Sequence, residues 1–148
     1  MPRFKYKSTG FSKLKRLLKA LPDEATGELK EAVRDSAETM AQTARELVPV
    51  RTGALRDAIQ VAIRRDGLSA AIGPGVRSKK LAKTVFYAVM VEFGTKGDPS
   101  RNIPPMPAQP FLNPAFEMNR DKAVARTRAA INKAVREARA KAGPVNDN

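Results

Sequence analysis

Few side chains in this sequence could carry out chemistry. The chain has 148 residues and contains no His and no Cys, so it lacks an imidazole base, a thiolate nucleophile and the usual zinc ligands. Glu92, an acidic residue inside an apolar stretch, is the only position that resembles a catalytic acid or base. A lone carboxylate of this kind more often pairs with an arginine. We therefore expect no enzyme activity, no catalytic residue, no cofactor and no bound metal.

The glycine and aspartate patterns give no binding motif either. Residues 73–75 and 94–97 contain closely spaced glycines, but they lack the strand–turn–helix context of a nucleotide site and are read as turns. Asp57 and Asp66 lie on a predicted hairpin without the spacing of metal ligands.

The charge of the chain is large and unevenly distributed. Twenty-eight Lys and Arg residues against 15 Asp and Glu give a formal net charge of +13. Residues 1–20 carry seven basic and no acidic side chains, whereas residues 21–47 carry three basic and seven acidic ones. Residues 48–100 and 101–148 each carry nine basic and four acidic side chains. Such a field favours polyanions as partners, and it equally suits contacts between basic and acidic surfaces of copies of one chain.

The length fits one domain with a modest core. Only eight residues are aromatic, so aliphatic side chains must fill that core, and without Cys no disulfide can support it. The longest apolar run covers residues 86–91, far short of the roughly 20 residues of a membrane span. The basic start lacks the apolar core of a signal peptide, because its apolar residues are interrupted by Lys13, Lys15, Arg16 and Lys19. We expect no membrane partner and a chain that is cytoplasmic where it is made.

The chain begins with a basic segment that precedes the main domain. Residues 1–8 are predicted to form a basic arm or a short edge strand, and a short amphipathic helix over residues 9–21 ends at Pro22. Its apolar residues are Phe11, Leu14, Leu17, Leu18 and Leu21. This helix could lie on an anionic membrane surface, but packing on its own domain is the stronger expectation. The predicted divisions are residues 1–22, a single α+β domain over residues 23–142 and a tail over residues 143–148.

A long helix and a β-hairpin are predicted next. The helix covers residues 23–47 and has the apolar stripe Leu29, Val33, Ala37, Met40, Ala44 and Leu47. Residues 55–64 alternate between apolar and polar and form the first strand. Asp66 and Gly67 form the turn, and residues 68–72 form the return strand.

The second half of the domain is predicted to contain two helices and two loops. Residues 76–84 form a basic loop, and residues 85–93 fit either a strand or a short buried helix. Residues 94–110 contain two Gly and five Pro, so most of this loop lacks regular structure, and its length indicates a function or ordering on assembly. A long C-terminal helix begins with Asn113 as its N-cap and ends before Gly143. Its narrow apolar stripe is Phe116, Ala123, Thr127, Ala130, Ile131, Ala134, Val135 and Ala138.

Nucleic-acid binding is the main alternative that the residues themselves allow. Two clusters of basic side chains could neutralise phosphates, namely Arg77, Lys79, Lys80 and Lys83 in the loop and Arg126, Arg128 and Lys133 in the last helix. No base-reading module and no aromatic stacking platform accompanies them. This alternative is a small basic protein that binds nucleic acid without sequence specificity.

Three sequence motifs occur in a fixed order. Residues 48–56 read Val-Pro-Val-Arg-Thr-Gly-Ala-Leu-Arg, residues 87–95 follow Tyr-Ala-x-x-Val-Glu-Phe-Gly-Thr, and residues 107–115 follow Pro-Ala-Gln-Pro-Phe-Leu-x-Pro-Ala. With the segment at residues 10–22, they resemble the family of small head–tail joining, or tail-completion, proteins of long-tailed bacteriophages and prophages. The resemblance covers roughly residues 10–140.

The resemblance implies an α+β subunit. Its elements are a long N-terminal helix, a small antiparallel β-sheet built on a hairpin, a short helix at residues 85–93, a long Pro-rich loop and a long C-terminal helix. It also implies a structural protein of the virion neck, made in the host bacterial cytoplasm, that forms a homo-oligomeric ring, most simply a hexamer. Neighbouring neck, tail-terminator or tail-tube proteins are the expected partners, together with transient, non-specific contact with packaged DNA.

The resemblance also assigns roles to particular residues. The motif or subunit-interface candidates are Arg51, Thr52, Gly53, Leu55, Tyr87, Glu92, Phe93, Gly94, Pro110 and Phe111. Gly53 is expected in a tight or positive-φ turn into the first strand, and Glu92 is expected to pair with Arg51. Pro110 and Phe111 are expected to anchor the long loop on the core or on a neighbour. Candidate contacts with a DNA channel or an acidic partner are Arg77, Lys79, Lys80 and Lys83.

Overall fold

The computed structural model of the protein describes residues 23–76 and 82–142. In chain order these residues form helix α1 (Asp23–Leu47), the short helix α2 (Ala54–Ala58), strands β1 (Ile59–Ile63) and β2 (Ala70–Pro74), helix α3 (Ala82–Phe93), a 3-10 turn (Pro99–Arg101) and helix α4 (Leu112–Ala142). The predicted α+β class, with a long helix on each side of a small antiparallel sheet, is confirmed. The predicted arm and helix of residues 1–22, the basic side chains Arg77, Lys79 and Lys80, and the tail lie outside the described residues.

Helices α1 and α4 pack against each other and run in opposite directions. The Asn119 side-chain amide donates to the Thr43 hydroxyl at 2.9 Å, and Lys133 near the other end of the pair donates to Glu28. Later residues of α4 thus meet earlier residues of α1. Both helices bury alanines, which allow their backbones to approach closely: Ala37, Ala41 and Ala44 in α1, and Ala115 and Ala134 in α4.

The buried face of α1 follows the predicted stripe except at Val33, which is half-buried, and at the end of the helix. Leu29, Met40 and Ala44 are buried as expected, but the Leu47 side chain is 40% exposed. The place predicted for Leu47 is taken by Val48, which is 3% exposed and lies four residues after Ala44. A spacing of four keeps the side chain on the same helical face through the last turn.

The predicted hairpin is present, but its first strand starts later than expected. Strands β1 and β2 pair antiparallel, with Ile59 opposite Pro74 and Ile63 opposite Ala70. The expected strand start at Leu55 is wrong, because residues 54–58 form the short helix α2. Leu55 and Ala58 are both buried at a spacing of three, which a helical turn accommodates and a strand does not. A two-stranded sheet is marginal alone, and here it packs on α1.

The segment that fitted either a strand or a helix is helix α3. Its buried residues are Ala88, Val91 and Glu92, at spacings of three and four. Alternate burial, as in a strand, would have buried residues two apart. The prediction of a short helix for this segment is confirmed, but the helix begins at Ala82. The predicted basic loop over residues 76–84 is therefore wrong for its last three residues, and Lys83 lies in α3.

Helix α4 begins one residue before the predicted N-cap and has a different buried face near its start. It runs from Leu112, so Asn113 lies within the first turn, and it ends at Ala142 as the following Gly-Pro pair predicts. Phe116 was expected in the apolar stripe but is 49% exposed. Ala115 and Asn119 face inward instead, again at a spacing of four.

Candidate assembly site

The three sequence motifs lie together in the folded subunit. Each motif contributes side chains to one hydrophobic cluster at the junction of α1, α3 and the start of α4. The contributing side chains are Val48 and Leu55 from the first motif, Ala88 and Val91 from the second, and Phe111 and Ala115 from the third. The Phe111 ring is completely buried in this cluster, at the end of the long loop. Pro110, by contrast, is exposed.

Glu92 joins the second motif to the third. Its carboxylate is 6% exposed and accepts hydrogen bonds from the backbone N–H groups of Phe111 at 2.8 Å, Leu112 at 3.0 Å and Asn113 at 2.9 Å. These groups stand at the start of α4, where a helix has no partners of its own for its first N–H groups. Pro114, the next residue, has no N–H. Glu92 therefore satisfies the free donors at this helix end and places negative charge where the helix dipole is positive.

The expected pairing of Glu92 with Arg51 is wrong. Among the ion pairs of the described residues, none joins these two side chains. The carboxylate is taken up by backbone donors, whereas Arg51 is exposed and lies beside Tyr87. The sequence could not predict this arrangement, because every residue except proline has a backbone N–H and the residue types do not show which of these groups will bind a carboxylate.

A second backbone connection holds the third motif against the end of α3. The N–H of Gln109 donates to the carbonyl of Val91 at 2.7 Å. Gly94 has a φ of +71°, and a Cβ atom there would lie 2.7 Å from both the Met106 carbonyl oxygen and the Ala108 nitrogen. Only glycine fits this close crossing of two backbone segments.

Residues 94–110 are the long Pro-rich loop, and we call this loop the arm; it is distinct from the basic arm predicted for residues 1–8. The arm is folded by its own hydrogen bonds. Thr95 and Met106 exchange backbone hydrogen bonds of 2.8 and 3.0 Å, and Asp98 and Ile103 exchange bonds of 2.8 and 2.9 Å. No residue of the arm is buried, and the Ile103 side chain is 48% exposed. The prediction that most of the segment lacks regular structure is correct, and the arm nevertheless takes a defined form within one subunit.

The exposed parts of the motifs also lie side by side, on a surface that we call the motif face. It consists of Val50, Arg51, Tyr87, Pro107 and Gln109, which border one cavity of about 210 Å³. Val50 is 60% exposed and Tyr87 is 42% exposed. The motif face thus brings apolar and polar side chains of all three motifs to the surface.

A neighbouring cavity extends the motif face toward the start of α3. It has a volume of about 280 Å³, and its lining includes Arg51, Thr52, Gly53, Lys83 and Tyr87. Gly53 has a φ of +79°, as its predicted positive-φ turn requires, although the turn leads into α2 rather than into a strand. Lys83 is exposed there and is the one member of its basic cluster within the described residues.

The predicted interface residues therefore divide into two groups. Gly53, Leu55, Glu92 and Phe111 are buried in the subunit, and Gly94 is half-buried at the chain crossing. The exposed candidates are Arg51, Thr52, Tyr87, Phe93 and Pro110. Their role in contacts between subunits stays a prediction.

The described residues contain no cluster of three or more acidic side chains that could hold a metal ion. Across residues 23–76 and 82–142, no helix combines the length and the apolar character that crossing a membrane requires. The Glu92 carboxylate, the one candidate acid or base of the sequence, is occupied by helix N–H groups.

Comparison with known proteins gives one match. A family model described as "Bacteriophage HK97-gp10, putative tail-component" matches residues 12–94, which is more than half of the chain. The match contains the first motif completely and the second up to its penultimate residue. The curated proteins and the solved structures give no significant match.

Proposed function

This chain belongs to the HK97-gp10-like family of phage tail components, and from that premise we propose that it is a non-enzymatic structural protein of the virion neck. In this proposal a ring of subunits joins or completes the tail at the head–tail interface. DNA passes through the ring without being read. The subunit is made in the cytoplasm of the host bacterium and resides in the neck of the particle.

The motif face is the observation that carries this proposal. The buried side chains of the three motifs have a role within the subunit, because they form its hydrophobic cluster. The exposed side chains have no such role, because Val50 stays 60% exposed and Tyr87 42% exposed within the described part of the subunit. Apolar residues rimmed by polar ones on an otherwise charged surface are typical of a protein–protein interface.

The arm supports the same proposal. It is already folded in the single subunit, so docking it against a partner would cost little ordering entropy. Its exposed Ile103 is followed by two prolines, Pro104 and Pro105, which restrict the backbone further. A prefolded projection with an apolar end is suited to contact the next subunit or the next ring.

The proposed ring is formed by identical subunits, and six is the expected number. A ring requires a head-to-tail interface, in which one surface of a subunit meets a different surface of its neighbour. Two different surfaces are present on one subunit, namely the motif face and the part of the arm around the exposed Ile103. Neighbouring neck, tail-terminator or tail-tube proteins would bind the faces of the ring.

The basic loop, together with Lys83 in the first turn of α3, is proposed to face the DNA channel or an acidic partner. Lys83 is exposed beside the motif face, and Lys79 and Lys80 precede it in the sequence. A variant with these three lysines replaced by glutamine should package or eject DNA less efficiently. Particles of the variant that package and eject DNA normally would refute a role of the loop in the channel.

Quantitative mass spectrometry of purified, nuclease-treated tailed particles tests the neck assignment. We expect the protein at low copy number, in step with other neck proteins, and the copy number would give the size of the ring. Absence from intact particles, with recovery of the protein on cellular nucleic acid, would overturn the proposal. That second result would identify the protein as a basic nucleic-acid-binding protein, and binding of duplex DNA would then weaken steeply with salt.

A further inference from the structure

An apolar groove runs along the outer edge of strand β2. Its volume is about 810 Å³, and its lining also includes residues of α1, α3 and α4. Ile72, Gly73 and Pro74 all border it, although the side chains of consecutive strand residues point to opposite faces of a sheet. The groove therefore follows the edge of the strand rather than one face of the sheet.

The outer edge of β2 carries backbone groups that no strand of the described residues pairs with. The Arg64 N–H donates to the Ser69 carbonyl at 2.9 Å, so these residues form a hydrogen-bonded pair of the hairpin. In an antiparallel ladder such pairs alternate with pairs whose backbone groups point away from the partner strand. Ala70, the next residue of the register, and Ile72, two positions later, therefore direct their N–H and C=O groups outward. Both residues line the groove, and the described part of the chain supplies no third strand.

The side chains around the groove leave apolar surface uncovered. Phe93 is 76% exposed, Val89 is 52% exposed and Phe116 is 49% exposed, and all three line the groove. Exposed apolar surface beside an open strand edge is typical of sites that bind an extended segment. The groove therefore fits an extended apolar segment whose carbonyl groups are free to accept hydrogen bonds from β2.

The arm contains a segment with these properties. Residues 103–107 read Ile-Pro-Pro-Met-Pro, and the Ile103 side chain is 48% exposed. Pro104 and Pro105 are exposed and have no N–H, and the described residues provide no hydrogen-bond partner for their carbonyl groups. Five residues in extended form span about 17 Å, which matches the five residues of β2. The segment thus offers apolar side chains and unpaired acceptors, whereas the groove offers apolar side chains and unpaired donors.

We propose that residues 103–107 of one subunit dock in this groove of the neighbouring subunit, along the edge of β2. The proline carbonyls accept hydrogen bonds from the outward N–H groups of the strand, and Ile103 and the prolines cover the exposed Val89 and Phe93. Proline-rich segments bind aromatic-lined grooves in this way, because their backbone is already restricted before binding. The arm is folded in the single subunit, so its docking costs little further ordering entropy.

A second copy is favoured over the arm of the same chain. The base of the arm is held on α3 by the hydrogen bond from the Gln109 N–H to the Val91 carbonyl, and none of residues 94–110 lines the groove of its own subunit. Each subunit carries one arm and one groove, which are different surfaces, so repeated docking is head-to-tail and closes into a ring. The inference rests on the ring of the proposed function and names the surface that the arm meets.

The groove and the motif face lie on different flanks of α3. Val89 in the groove and Tyr87 on the motif face are two residues apart, about 200° of helix rotation. The motif face is therefore the alternative receiver of the arm, and cysteine cross-linking can tell the two surfaces apart. Because the chain has no Cys, the introduced cysteines are its only thiols.

Cross-linking in purified tailed particles tests the proposal. The probe is the double variant Ile103→Cys/Val89→Cys, expressed in a deletion strain and treated in the particles with a short bismaleimide. We expect a ladder of covalent oligomers on a denaturing gel, up to the number of subunits in the ring. Each single-cysteine chain should give no product larger than a dimer. Both side chains are about half-exposed, so these substitutions should leave the subunit folded.

Ile103→Cys/Val50→Cys is the matched control, because Val50 is an exposed valine of the motif face. It should give no ladder. A ladder from this pair alone would place the arm on the motif face, and a cross-link confined to one chain would place the arm in its own groove; either result would overturn the proposal. The absence of a ladder from the Val89 pair, in particles that contain the variant at neck copy number, would overturn it as well and leave the proposed function standing. Absence of the wild-type protein from the particles would overturn both.

An exchange of charge gives a second readout that does not depend on cross-linking. Ile103→Asp should lower incorporation into particles at least about tenfold, because its carboxylate would be buried in the groove without a partner. Adding Val89→Lys to this variant should restore incorporation, and Ile103→Leu alone should be incorporated normally. Normal incorporation of Ile103→Asp, or its restoration by Val50→Lys instead of Val89→Lys, would overturn the proposal.

Discussion

The Glu92 carboxylate lies 2.8 Å from the backbone nitrogen of Phe111, which precedes α4 by one residue. This hydrogen bond spans 19 residues of sequence and closes the arm at its base. Together with the bonds to Leu112 and Asn113 it fixes where α4 starts. The position of the Phe111 ring in the core therefore depends on a side chain from another helix.

Replacing Glu92 by glutamine should destabilise the subunit by about 1–3 kcal/mol. Glutamine keeps one acceptor oxygen but puts an NH₂ group in place of the other, so at least one N–H at the start of α4 faces a donor. The charge that stabilises the helix end is lost as well. Urea denaturation followed by circular dichroism measures the change in the free energy of unfolding.

Glu117→Gln is the matched control, because Glu117 is an exposed glutamate of α4, the helix whose first N–H groups Glu92 binds. It should change the free energy of unfolding by less than about 0.5 kcal/mol. Equal effects of the two substitutions would show that the helix-start hydrogen bonds carry no special weight.

The sequence was sufficient to predict the two long helices and the hairpin, and the family resemblance predicted that Phe111 anchors the long loop on the core or on a neighbour. Periodic apolar spacing identified α1 and α4, and the Asp66-Gly67 pair identified the hairpin turn. It could not decide between strand and helix for residues 85–93, because Val, Phe and Tyr favour strands while the spacing also fitted a helix. The resemblance to a family, rather than the residues themselves, favoured the helix that is found.

The errors share a physical cause, which is that burial depends on neighbours distant in sequence. Leu55 was assigned to a strand by alternation, yet its contacts with the core make residues 54–58 helical. Glu92 was expected to form an ion pair with an arginine, but its carboxylate accepts hydrogen bonds from the backbone N–H groups of residues 111–113 instead. Phe116 fitted the stripe of α4 but lines a surface cavity of about 810 Å³, where the described residues leave it half-exposed.

Replacing Phe111 by alanine should cost about 3–5 kcal/mol of stability, because its ring is completely buried. The loss combines transfer of the ring to water with a cavity at the centre of the cluster. Phe86→Ala provides the comparison, since Phe86 is 64% exposed and should be nearly neutral. Thermal unfolding of both variants checks the difference, and a negligible shift for Phe111→Ala would mean that the ring is exposed in the lone subunit.

The ion pair between Lys133 and Glu28 predicts a pH dependence of the α1–α4 packing. The hydrogen bond and the negative charge of Glu28 raise the pKa of Lys133 above its ordinary value of 10.5. Because the pKa of Lys133 is higher in the folded than in the unfolded protein, the ion pair stabilises the fold fully at a pH below the pKa of the unfolded state. This stabilisation is lost as the pH rises through the pKa of the folded state. Because Lys133 is exposed, the effect should be small and reduced by salt.

Comparison of urea midpoints at neutral and strongly alkaline pH measures this contribution. Wild-type protein should lose slightly more stability across that interval than Lys133→Gln, which lacks the titrating group. Lys122→Gln, at an exposed lysine of the same helix, should follow the wild type. A Lys133→Gln profile identical to the wild type would show that the pair does not act in solution.

Charge placed on the motif face should block incorporation into particles without unfolding the subunit. Val50 is 60% exposed, so Val50→Asp should leave the free energy of unfolding within about 0.5 kcal/mol of the wild type. In a contact between subunits the same carboxylate would be buried without a partner. Complementation of a deletion strain, followed by mass spectrometry of the particles, measures incorporation.

Val124→Asp is the matched substitution in α4, at a valine that is 49% exposed. It should be incorporated normally, because Val124 lies outside the motif face. Normal incorporation of Val50→Asp would remove the motif face from the interface. If neither variant were incorporated into particles, a charge at any exposed valine would have the same effect, and the result would not identify the motif face as the interface.

A pair of glycine substitutions tests whether the arm depends on the chain crossing at Gly94. The Cβ of alanine at this position would lie 2.7 Å from two backbone atoms of the arm, and the φ of +71° is unfavourable for alanine. Gly94→Ala should therefore cost at least about 1–2 kcal/mol and displace the arm from the end of α3.

Gly27→Ala, in α1, is the control. Its Cβ meets nothing within 4 Å, and it should instead stabilise the subunit by about 0.5–1 kcal/mol. Denaturation gives both free energies, and hydrogen exchange at Met106 and Gln109, whose N–H groups are bonded to Thr95 and Val91, reports on the arm. Slow exchange retained in Gly94→Ala would show that the arm keeps its place by other contacts.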